Sequence, residues 1–247
     1  MTFRFSAVVL ALALPVAAVE TAYAQQPQIE QVGAAAQSNL NALVNGSPTV
    51  VPTASAEATK GSPYADNRWL PARLRMTNKI PLAPVPLKYD VLNQRLLMRP
   101  VNRPNDSLQL DDRLLAGFEL EEPALTATGT RKRTFRRFTD APEPTQRTDY
   151  VEVLHEGKYT LLKRYGKALR KADFQGAYST NRRYDEIEDK TTYYLRHPNG
   201  TLVPVKLTLK SLQAAAPELA SALKAAPKSS AAKTDAEWSA VLAAADK

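Results

Sequence analysis

The chain has 247 residues, with 33 Lys and Arg against 25 Asp and Glu, a net charge of +8 and no cysteine. The missing thiols exclude disulfides, thiolate metal sites, a cysteine nucleophile and a lipoprotein anchor, so an exported form would depend on its hydrophobic core. The basic surplus points to anionic partners, an acidic glycan or lipid head groups well before nucleic acid.

The first residues, MTFRFSAVVLALALPVAAVETAYAQQ, combine Arg4, an apolar run from Phe5 to Val19 and small residues at Ala22 and Ala24. This is the layout of a secretory signal peptide over residues 1–24, cleaved between Ala24 and Gln25. The apolar run is broken by Pro15 and is short for a membrane span. A periplasmic or secreted location follows, with no transmembrane segment expected in the mature chain. Residues 25–60 are rich in Ala, Gln, Ser, Thr and Pro and carry no aromatic side chain. They predict a disordered leader, with at most a helical turn or two in QSNLNALV.

Order is expected from GSPYADNRW onward. In ARLRMT, Ala72, Leu74 and Met76 alternate with Arg73, Arg75 and Thr77, the period of a half-buried strand. Asn78 and Lys79 supply a turn. In PVPLKYD, Val85, Leu87, Tyr89 and Val91 share one side, and Pro84 and Pro86 argue for an edge or an irregular start. Asn93 and Gln94 turn the chain into RLLMRPV, which completes a three-stranded meander. AGFEL and KRTFRRF are further strands. DYVEVLHEGKYTLLKRY pairs 150–154 with 159–165 around Gly157, and TTYYLRHPNGTLVPVKLTL pairs 191–197 with 201–209. The second hairpin turns at Asn199-Gly200, where both residues tolerate positive φ.

Near the C-terminus the period changes. Pro217 suits a first helical position, and Thr234 stands three residues before Glu237, the spacing of a capping box. Trp238, Val241, Leu242 and Ala245 then form one apolar helical face. The expected class is mainly β (α+β). An antiparallel meander over 61–210 curls into a roll or open barrel, and a helical segment over 211–247 covers one end or face.

Catalytic patterns are sparse. No G-x-S-x-G elbow and no glycine-rich phosphate loop occurs. His155 and His197 each end the first strand of a hairpin, and with Glu156 they would make a metal site only if the hairpins lay side by side. No H-E-x-x-H spacing supports that, so no metal and no cofactor is expected. Asp111 with Asp112, and Asp185 with Glu186 and Glu188, are the acids available to a hydrolase, which would need two carboxylates facing across a cleft. TRKRTFRRF sets Arg131, Lys132, Arg133, Arg136 and Arg137 around Phe135 and Phe138, a pattern able to hold an anionic polymer by charge and stacking. Its ordinary alternative puts the rings in the core and the cations in water. Tyr178 and Tyr184 in FQGAYSTNRRYDEIEDKTTYY add amphipathic rings suited to sugar or peptide.

Taken in order, GSPY followed by Trp69, VPLKYD, YVEVLHEGKYTLLKRY, YYLRHPNG and KLTLKSL before paired helices resemble a family of uncharacterised exported β-rich proteins of Gram-negative bacteria. The resemblance spans about residues 61–245. Members carry a glycine in the first hairpin where this chain has TNKIP, and the family brings no established activity. The expected function is therefore a non-enzymatic binding or scaffolding component of the cell envelope, partnered by an anionic envelope polymer or another envelope protein. A hydrolase acting on an envelope polymer and a carrier of a small apolar ligand are the alternatives.

Overall fold

The computed structural model describes residues 34–45, 59–80, 82–100, 104–123, 129–172 and 184–247. The signal-peptide region lies outside them. Within the expected disordered leader, α1 (Ala34–Asn45) is a helix that contains QSNLNALV and is longer than the turn or two expected there. Ala36, Leu40, Leu43 and Val44 recur at helical spacing and are buried, and Leu40, Leu43 and Val44 belong to the main core cluster. Their burial is the stabilising term that the polar composition around them conceals. The leader ends in β1 (Thr59–Lys60).

The next strands follow the predicted meander: β2 (Leu70–Met76), β3 (Val85–Asp90), β4 (Arg95–Met98) and the short β5 (Leu108–Gln109). Lys79 takes the left-handed turn position at φ 60°, the conformation that favours glycine. Of the two expectations for β3, an edge or an irregular start, the edge is overturned, because β3 lies between β2 and β4. Pro86 is tolerated because it opposes Pro71 on β2, and on the β4 side it lies beyond Met98, the last residue paired there. Its carbonyl still accepts from the Arg99 N–H at 3.1 Å.

β6 (Leu115–Pro123), β7 (Thr130–Arg137), β8 (Tyr150–Glu156) and β9 (Thr160–Arg164) extend the sheet. Two strands absent from the sequence reading, β10 (Lys167–Arg170) and β11 (Asp185–Asp189), form a separate small sheet with β1. β12 (Thr192–Arg196) and β13 (Leu202–Val205) make the Asn-Gly hairpin, with Gly200 at φ 85°. The strand expected to reach 209 stops at Val205. The Thr208 side chain accepts from the Ser211 N–H and starts α2 (Leu209–Ala215) instead. α3 (Ala220–Ala225) and α4 (Asp235–Ala245) follow. The Thr234–Glu237 capping box is present, and Trp238, Val241, Leu242 and Ala245 are buried as predicted.

The large sheet has ten strands in the order β13-β12-β9-β8-β7-β6-β2-β3-β4-β5. It is antiparallel and does not close, since β5 and β13 each pair on one side only. It does curl. Tyr89 on β3 and Tyr150 on β8 are separated by three intervening strands, yet their ring centroids stand 5.7 Å apart. The Tyr150 N–H donates to the Tyr89 hydroxyl at 3.2 Å. The expected roll is therefore the architecture observed.

One face of the sheet is the inner one. Leu74, Phe118 and Phe135 pack there with α1 in one cluster, and Leu161, Leu195 and Val205 pack with α2–α4 in a second. A smaller cluster, Phe138, Val151, Leu162 and Tyr194, covers part of the opposite face. The C-terminal helices are fastened at Asp246, whose carboxylate accepts from the Tyr159 N–H at 2.8 Å and meets His155 Nε2 at 3.0 Å. A Cβ on Gly157 would stand 2.5 Å from that same oxygen, so a larger residue at this turn would displace the Asp246 carboxylate. Among the described residues no helix is long and apolar enough to cross a membrane.

Candidate functional site

A polar cleft lies on the inner face, between the two large apolar clusters. Strand register creates it: Phe135 on β7 opposes Glu152 on β8, Glu152 opposes Lys163 on β9, and Lys163 opposes Tyr193 on β12. Arg133, one inward position along β7 from Phe135, reaches Glu152 with Nε and Nη2 at 2.9 and 3.0 Å. Tyr165 donates its hydroxyl to Glu152 Oε2 at 2.5 Å and accepts from Arg133 Nη2 at 2.6 Å. Beside this group, Lys163 Nζ meets Asp235 Oδ2 at 2.7 Å, and the Tyr193 hydroxyl donates to Asp235 Oδ1 at 2.9 Å. The cleft measures about 260 Å³, with Glu122 and Arg131 also on its wall.

Its charges are held in place. Arg133 is 8% exposed and Glu152 2%, so each depends on the other to offset lost hydration. Burial works against the Arg133 charge, but the Glu152 bonds outweigh it and hold the guanidinium above its ordinary range. Burial, reinforced by Glu152, raises the Tyr165 phenol; burial, reinforced by the bond to Asp235, raises Tyr193. Both phenols therefore stay protonated and act as fixed hydrogen-bond donors.

The residues of TRKRTFRRF do not form one surface, because successive side chains of a strand leave on opposite faces. Arg131 and Arg133 share the cleft side, whereas Lys132 and Arg136 point to the other. Phe135 and Phe138 are fully buried in different clusters, so neither ring offers a stacking platform. Arg137 is tied to Asp112 at 2.9 Å and lies over the Tyr150 ring at 4.2 Å. Arg136 Nη2 is buried without a partner.

Arg131 and Lys132 are exposed. Their cross-strand neighbours on β6 are Glu122 and Glu121, so the acidic and basic stretches of the sequence are adjacent strands. Those acids are already engaged, Glu121 by Arg73 at 3.0 Å and Glu122 by Arg68. Among the described residues, the carboxylate that reaches Arg131 is Glu152, at 4.0 Å.

Tyr184 is half-buried beneath Lys60, whose Nζ is 3.9 Å from the ring centroid. Tyr178 lies outside the described residues. Asp185, Glu186 and Glu188 occupy β11 of the small sheet and do not face one another across a cleft. Asp185 accepts from the Ala172 N–H at 2.8 Å, and Glu188 is lowered by Lys190 and then Arg170. His155 bonds Asp246, while His197 packs against the Tyr159 ring at 5.2 Å. Among the described residues no three His, Asp or Glu side chains are grouped to hold a metal. A groove of about 570 Å³ runs along the free edge at β12–β13 and α2.

The sequence reading missed Glu152, Lys163, Tyr165 and Asp235. A signal existed for two of the cleft residues: Glu152 and Arg133 carry charge at positions whose neighbours two residues away, Tyr150 and Phe135, are inward apolar residues. Inward charges on separate strands imply a buried pair. Compared with known proteins, the chain matches no family model, no curated protein and no solved structure.

Proposed function

We propose that the protein is an exported, non-enzymatic binding component of the cell envelope whose partner is an anionic envelope polymer. The observation that carries this reading is that β7 exposes a cation on each face, Arg131 on the cleft side and Lys132 on the other, while the neighbouring carboxylates Glu122 and Glu121 are already engaged by Arg68 and Arg73. Lys132 has no carboxylate partner among the described residues and Arg131 meets Glu152 only at 4.0 Å; such surface cations attract polyanions at long range, and this attraction is screened by salt. The Arg133–Glu152–Tyr165 group supports the role by locking β7, β8 and β9 together, so the exposed cations project from a rigid strand. The signal-peptide layout and the resemblance to exported Gram-negative proteins support the location.

The test is capture of the mature chain on immobilised acidic polysaccharide, with a neutral polysaccharide as control. Retention on the acidic matrix alone is expected, with elution by salt and a clear weakening in the R131E/K132E variant. Equal retention on both matrices, or retention indifferent to salt, would discard the reading.

A further inference from the structure

The outer face of β2, β3 and β4 carries a second group of cations, none of which the basic strand includes. Lys88 points outward from β3, opposite to the buried Leu87 and Tyr89. Its Nζ stands 4.5 Å from the Tyr64 ring centroid and 5.1 Å from that of Trp69. Arg99, just past β4, places its guanidinium carbon 4.5 Å from the same Trp69 ring. The four side chains are half-buried and built into the fold. Tyr64 is bridged to Asp90, and the next residue, Ala65, donates its N–H to the Tyr89 carbonyl at 3.0 Å.

Two cations sharing one indole repel each other, and among the described residues neither Lys88 nor Arg99 has a carboxylate partner. Asp66 is the acid nearest in effect, but its oxygens are taken by Arg68 at 2.8 Å and Arg133 at 3.2 Å. Arg99 Nε is buried and has no hydrogen-bond partner among the described residues. Burial, followed by the nearby Arg99 charge, lowers the Lys88 pKa against the opposing pull of Asp66. A free donor, an unrelieved like-charge pair and partly exposed aromatic flanks together describe a place awaiting an anion with an apolar body.

We propose that Lys88 and Arg99, flanked by Tyr64 and Trp69, form a subsite for the oxyanion of an acidic polysaccharide. The assignment rests on the proposed function and specifies its ligand. Sheet register adds a reason to prefer a polymer to a small ion. Lys132 opposes Glu121 on β6, Pro71 opposes Pro86, and the Pro86 carbonyl receives the Arg99 N–H, so Lys132 and Arg99 lie on one face. They are four strand spacings apart, about 19 Å along the sheet. An acidic chain laid across the strands would meet both cations.

The experiment titrates the full chain with an oligogalacturonate, a neutral galactan oligomer and inorganic phosphate, reading tryptophan emission. Of the two tryptophans, Trp238 lies on the buried face of α4 and is 2% exposed, and Trp69 belongs to the subsite, so a change reports Trp69. The oligogalacturonate is expected to shift the emission and the neutral oligomer to leave it unchanged. Lys88→Met and Arg99→Met should each weaken binding at least tenfold, while Lys88→Arg retains it. Phosphate that competes indicates a subsite for oxyanions in general; phosphate that fails to compete indicates one shaped for sugar carboxylates, and either supports the proposal. Binding unchanged in both Met variants, an equal response to the neutral oligomer, or a response to phosphate alone would overturn it. An R131E/K132E chain that loses matrix capture but still shows the emission change would separate failure of the basic-strand contact from failure of this subsite.

Discussion

Arg133 and Glu152 illustrate how much one inward-facing pair decides. Each sits where an apolar residue would continue the core; Glu152 and Arg133 neutralise each other, Asp66 adds a second carboxylate to Arg133 at 3.2 Å, and Tyr165 completes the hydrogen bonds. Removing a single partner leaves a buried charge, so Arg133→Met should cost about 3–5 kcal/mol of unfolding free energy. The double replacement Arg133→Met with Glu152→Met should cost far less, because both desolvation penalties disappear together. Urea midpoints for the two single variants and the double variant measure the coupling. Additive losses would mean that the two side chains do not depend on each other. Arg131, two positions earlier on the same face, reaches Glu152 only at 4.0 Å and stays exposed at the surface.

At the scale of elements, the roll leaves two free edges and treats them differently. β5 is only two residues long, and beyond it the Asp111 N–H donates to the Leu43 carbonyl of α1 at 3.3 Å, so the helix covers that end. β13 is protected chemically. His197 donates to the Thr201 carbonyl at 2.8 Å, and the alternation of an antiparallel ladder then turns the polar groups of Leu202 and Pro204 outward. Proline at 204 therefore costs no internal bond and removes a donor that another chain would use. Pro204→Val should leave the thermal midpoint nearly unchanged yet promote self-association, read by light scattering at rising concentration. A variant as monodisperse as the wild type would show that the groove along β13, and not the missing donor, guards this edge.

Across the whole molecule, the inner face works as two cores joined by the polar cleft. α1 completes the first from a point in the chain that composition assigns to a disordered leader. Leu40 is fully buried in that cluster, so Leu40→Ala should destabilise by about 2–5 kcal/mol. Chemical denaturation of the full chain reads the loss. A change below about 1 kcal/mol would mean that α1 adds little to the core, the cost expected for a surface position.

The sequence alone determined most local geometry. Alternation assigned Ala72, Leu74, Val85, Leu87 and Tyr89 to the inner face, Asn199-Gly200 marked its hairpin, and Thr234 with Glu237 marked the start of α4. These follow from backbone periods of two and 3.6 residues and from turn chemistry, all contained within a few residues. Tertiary structure decided what depends on distant partners. It made β3 an interior strand, set the acidic stretch of β6 beside the basic stretch of β7, and brought Tyr89 to Tyr150 by curling the sheet. It also placed Lys88 and Arg99 against Trp69. Strand parity says which way a charge points; only the order and curvature of the strands determine which charge, if any, it meets there.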